Sequence, residues 1–81
     1  MIGPHMDTRE KIVDILERNA IDTNRPIVEQ IDSMAFTTIV VEFEQEFEIE
    51  FPDELLIADS LASIDRIEEI IGNLLEQKKS A

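Results

Sequence analysis

Phe36, Ile39, Val40, Phe43 and Phe47 recur at i, i+3, i+4, i+7 and i+11, an apolar stripe that a helix gathers on one side. Phe supplies three of these five positions, so this helix is expected to anchor the core. The stripe predicts a helix from about Ser33 to near Phe47. Beyond it, Glu48-Ile49-Glu50-Phe51 alternates, which hints at a short extended stretch, and Pro52 bars a helix from running on. The same period appears in Ile12, Ile15 and Leu16, widened by Val13. It predicts a first helix capped by Asp7 or Thr8 and ending at about Arg18, with Glu10, Asp14 and Glu17 facing water. It returns in Ile64, Ile67, Ile70, Ile71, Leu74 and Leu75, with Ser63 as N-cap and with Lys78 and Lys79 suited to the negative end of the last helix. Pro52-Asp53-Glu54 opens a shorter helix, for which Leu55, Leu56, Ile57 and Leu61 are the expected core contacts. Between the first two long helices, Asn19 to Ile31 has no period. Asn24-Arg25-Pro26 marks a turn there, and Ile27, Val28 and Ile31 are expected to pin the loop to the core. The fold class is therefore all-α, a four-helix bundle of three longer helices and one short one.

The chain has 81 residues, enough for one domain with a modest core and too few for a deep, water-excluding enzyme cleft. Met1-Ile2-Gly3-Pro4-His5-Met6 reads as an expression-vector remnant, leaving a single domain over 7–79. With 19 acidic against 7 basic residues, the net charge of −12 repels phosphate backbones and anionic head groups. Nucleic-acid binding and membrane insertion are thus not expected, whereas a partner with a basic surface is. No Cys is present, which removes disulfides, thiolate metal sites and a nucleophilic thiol. These features suit a cytoplasmic, monomeric domain.

The chemically informative spot is Asp32-Ser33-Met34, where the irregular loop meets the second long helix. A serine at a helix start exposes its hydroxyl beside backbone N–H groups that lack intrahelical partners, a field that favours an anion. Asp and Ser are also ordinary N-cap residues, so the pair alone carries little. Its surroundings add weight. Met34, Thr37, Thr38, Val41 and Gln45 form a second row on the same helix, about 200° from the core stripe. That outward row is mildly apolar and flanked by Glu42, Glu44, Glu46 and Glu48, which is the anatomy of a docking face. Alternatively, Met34 and Val41 touch a neighbouring helix or loop.

Asp32-Ser33-Met34 resembles the Asp-Ser-Leu/Met signature of acyl and peptidyl carrier proteins. The run from Val41 to Glu54 resembles that family's acidic end of the second helix and the segment after it, and Ser63-Ile64-Asp65-Arg66-Ile67 resembles the opening of its last helix. The similarity covers roughly Thr8 to Gln77 and implies a bundle of acyl-carrier type. It also implies that Ser33 carries 4′-phosphopantetheine, transferred from coenzyme A by a phosphopantetheinyl transferase with Mg²⁺, with Asp32 helping to position the serine or the transferase metal and Met34 lying beside the arm. Cargo would ride as a thioester on the arm's thiol, consistent with the absence of Cys. The carrier would be a substrate and shuttle, not an enzyme. Its implied partners are a ligase or adenylation enzyme that loads acyl or aminoacyl groups, and the acyltransferases, synthases or condensing enzymes of fatty-acid, polyketide or nonribosomal-peptide pathways. They would dock basic patches on Glu42, Glu44, Glu46 and Glu48 and make apolar contact with Met34, Thr37, Thr38, Val41 and Gln45.

The chain departs from the family pattern in places. Gln30 stands where the family usually has Gly, and Ala35 and Thr38 occupy positions that are acidic in fatty-acid carriers. Glu44 keeps its acidic counterpart while Gln45 does not. The more neutral face fits aminoacyl carriers, including the D-alanyl type, or stand-alone carriers of natural-product pathways. An acidic helical interaction module without a prosthetic group is the alternative. A calcium or magnesium loop is not expected, because the EF-hand spacing is missing. Hydrolysis is not expected either, because His5 in the remnant is the sole His.

Overall fold

The computed structural model of the protein describes residues 7–80, so the predicted remnant lies outside the described residues. Among the described residues there are three α-helices: α1 (Thr8–Arg18), α2 (Ser33–Phe47) and α3 (Ile64–Ser80). Val28–Gln30, Asp53–Leu55 and Ala58–Leu61 form single 3₁₀ turns, the last two occupying the place of the expected short helix. Among the described residues there is no strand.

Each helix starts where its capping chemistry dictates. Asp7 Oδ1 accepts from the Glu10 N–H at 2.8 Å, and the Glu10 side chain accepts from the Asp7 N–H, a reciprocal capping box. Asp32 Oδ1 accepts from the Ala35 N–H at 2.8 Å. Ser63 Oγ accepts from the Arg66 N–H at 3.1 Å. α1 ends in a Schellman arrangement, in which the Ile21 N–H reaches Leu16 O and the Ala20 N–H reaches Glu17 O, both at 3.0 Å. Ala20 takes the left-handed conformation this requires, at φ 65°.

α1 packs against both α2 and α3. Ile12, Ile15, Leu16, Ile39, Phe43, Ile67, Ile70 and Ile71 meet in one core. Phe43 is fully buried at its centre, with ring centroids 6.5 Å from those of both Phe47 and Phe51. Arg9 Nη1 bridges Asp65 and Glu68 at 2.8 Å each, tying the start of α1 to α3. These two carboxylates raise the Arg9 pKa above its ordinary value, chiefly through the hydrogen bonds.

After α2, Glu48 turns left-handed at φ 54°, and the Ile49 N–H closes back on Glu44 O at 3.1 Å; among the described residues the alternating Glu48–Phe51 segment forms no strand. Two expectations are corrected. Leu56 and Ile57, expected in the core, are 43% and 50% exposed, because the chain there runs over the surface between two short turns. Val28 is likewise exposed, so Ile27 (buried) and Ile31 (partly buried) pin the loop to the core.

Candidate functional site

Ser33 is the first residue of α2 and is exposed. Its position follows from the cap. Asp32 occupies the N-cap in extended conformation, its side chain takes the Ala35 N–H, and its carbonyl takes the Phe36 N–H at 2.8 Å. The N–H groups of Ser33 and Met34 therefore remain in the first turn without intrahelical acceptors, at the positive end of the helix. An anion attached at Ser33 Oγ meets a compatible field, even with the Asp32 carboxylate next to it, because that carboxylate is engaged with the helix N-terminus.

The loop leading to Ser33 is held by Gln30, the departure from the family pattern. Its Oε1 accepts from the Asp22 N–H at 2.7 Å, while its Nε2 donates to Asp22 O at 2.8 Å and Pro26 O at 3.2 Å. Gln30 thus clamps Asp22–Pro26 across its own turn, which a Gly at that position has no atoms to do.

A cleft of about 560 Å³ opens beside Ser33. α2 forms one wall, through Ser33, Phe36, Thr37, Val40, Val41 and Glu44. Val28 and Ile31 from the loop before α2, and Leu56, Ala58 and Leu61 from the segment after it, complete the lining. Sequence periodicity placed Thr37 and Val41 outward with Met34, Thr38 and Gln45. All five are exposed, yet Thr37 and Val41 also line the cleft. Met34 is 80% exposed.

The four glutamates do not form one rim. Glu42 and Glu46 face α1, where Glu42 Oε2 accepts from Asn19 Nδ2 at 3.0 Å and Glu46 lies 3.7 Å from Lys11 Nζ. Glu48 is 3.9 Å from Lys78 Nζ, at the end of α3. Glu44 is half-buried at the far end of the cleft, and its Oε2 accepts from the Phe51 N–H at 2.8 Å. This last contact was hidden from sequence reasoning, because it depends on the chain folding back after α2.

The family model described as a phosphopantetheine attachment site matches residues 8–71. The chain belongs to this family. The family's prosthetic group is 4′-phosphopantetheine, and the matched segment is a carrier domain. A curated relative, the aminoacyl carrier protein of Agrobacterium fabrum, is 39% identical over 51 residues, covering 63% of this chain and 61% of the relative. The match thus spans about three fifths of that relative's length. No solved structure matches. Among the described residues, no helix is long and apolar enough to cross a membrane, and no cluster of acids or His is arranged to hold a metal ion.

Proposed function

We propose that Ser33 bears the phosphopantetheine arm and that the protein carries an aminoacyl group between a loading enzyme and an acceptor enzyme. The observation that carries this reading is the exposed Ser33 hydroxyl at the first position of α2, with Asp32 as cap and an apolar cleft alongside. When bound, the arm supplies the thiol that the polypeptide lacks. The chain's own residues supply position: Asp32 fixes the start of α2, Gln30 holds the approaching loop, and the first-turn N–H groups of Ser33 and Met34 face the attachment point. The aminoacyl cargo is supported by the relative's name and by the neutral residues Ala35, Thr38 and Gln45 on α2.

Docking partners, namely the phosphopantetheinyl transferase, a ligase or adenylation enzyme and the acceptor, would meet the exposed row of Met34, Thr37, Thr38, Val41 and Gln45. Glu42, Glu46 and Glu48 would steer basic partners from the flanks, since their exposed ion pairs with Lys11, Arg18 and Lys78 are weak and easily exchanged. The shuttle works in the cytoplasm, where coenzyme A and loading enzymes meet. Incubation with coenzyme A, Mg²⁺ and a broad-specificity transferase tests the reading by intact mass. Wild-type protein should gain one phosphopantetheinyl unit and Ser33→Ala none. A gain retained in Ser33→Ala would refute Ser33 as the attachment point.

A further inference from the structure

Gln30 stands just before Ser33 in the chain and directs its whole amide at one loop. Its Oε1 accepts from the Asp22 N–H at 2.7 Å, while the two Nε2 protons face Asp22 O at 2.8 Å, Pro26 O at 3.2 Å and Arg25 O at 3.4 Å. Its own N–H donates to Ile27 O at 2.9 Å and closes the Val28–Gln30 turn. One residue thus fastens both ends of the stretch 22–30. Within that stretch only Ile27 is buried, so hydrogen bonds rather than apolar packing set most of its shape. Val28 is 42% exposed and lines the same cleft as Ser33.

The clamp lies at the protein surface, so water replaces its bonds when Gln30 is lost and global stability changes little. The loop, pinned by Ile27 alone, regains its backbone freedom. An enzyme that reaches the Ser33 hydroxyl meets the loop at Val28, and a loop already in shape spares it the entropy of ordering on contact. We propose that Gln30 is a positioning residue for docking at Ser33, holding the stretch 22–30 in the form that the phosphopantetheinyl transferase binds. This rests on the reading of Ser33 as the attachment point. The amide is specific to the task, because one N–H and several carbonyls converge on it: Glu at this position has no donor, and Met, of similar length, has neither donor nor carbonyl acceptor.

The test measures arm-transfer kinetics with coenzyme A, Mg²⁺ and the transferase on wild type, Gln30→Ala and Gln30→Met, with amide hydrogen exchange on each unmodified protein. In both variants the Asp22 amide should exchange faster, while the Phe43 and Ile71 amides of the core helices keep wild-type protection. KM for the carrier should rise by about 3- to 10-fold at unchanged kcat, the pattern of lost binding rather than lost chemistry. Because Gln30 is neutral, the rise should be the same at low and high salt. An unchanged KM beside a fast-exchanging Asp22 amide would overturn the proposal, and so would a fall in kcat alone. A loss of Phe43 and Ile71 protection would also overturn it, by making Gln30 a general structural residue. Wild-type protein that takes no arm on Ser33 would overturn the carrier reading itself, whereas a modified wild type with variants of equal KM overturns the clamp's role alone.

Discussion

At the scale of single residues, positions that seem alike have different duties. Met34 and Phe36 are neighbours on α2, yet Met34 is 80% exposed while Phe36 packs against the core and lines the cleft. Truncating Met34 should therefore leave folding stability within about 0.5 kcal/mol of wild type. If Met34 touches partners, Met34→Ala should slow arm transfer at an unchanged Tm; a matching loss of Tm would show a structural duty instead. Ala20 bears the opposite kind of constraint. It sits left-handed at φ 65° to close α1, a conformation that costs a residue with Cβ about 1 kcal/mol and glycine almost nothing. Ala20→Gly should raise stability by about 1 kcal/mol in denaturant unfolding, and a decrease would contradict the Schellman account. Ser60 is fully buried, and its hydroxyl has no hydrogen-bond partner among the described residues. Ser60→Ala removes that desolvated group and is expected to be neutral or stabilising by up to about 1 kcal/mol.

Elements of the fold were legible in proportion to how local their causes are. The bounds of α2 followed from Asp32, the stripe ending at Phe47, and Pro52. The caps at Asp7 and Ser63 were readable because an N-cap bond spans only three residues. Val28, Leu56 and Ile57 were misplaced because an apolar residue in an aperiodic segment has no face to reveal its direction. Glu44 was legible as an acid on α2, but its bond to Phe51 depends on the turn at Glu48. Gln30 was legible only as a departure, since its clamp on Asp22 and Pro26 is made across a loop. Within α3, Gly72 has open space where a Cβ would point. Gly72→Ala should stabilise the helix by about 0.5–1 kcal/mol, read as a higher midpoint in urea with unchanged slope.

The whole molecule is governed by its charge and by one small core. Seven basic residues cannot neutralise nineteen acids, and Arg9, Lys11, Arg18, Arg66 and Lys78 already lie against carboxylates. The remaining repulsion opposes compaction, so Tm should rise as salt is raised from low to physiological ionic strength. A falling Tm would mean that the exposed ion pairs outweigh the repulsion. The central claim, however, is that the helix-start serine is the attachment point. Its most direct test is tandem mass spectrometry of the primed protein after cleavage at glutamate, which separates a Gln30–Glu42 peptide bearing Ser33 from the segments holding Ser60 and Ser63. The account predicts the phosphopantetheine mass on that peptide, with fragment ions placing it on Ser33; an arm on Thr37, Thr38 or any other residue would contradict it.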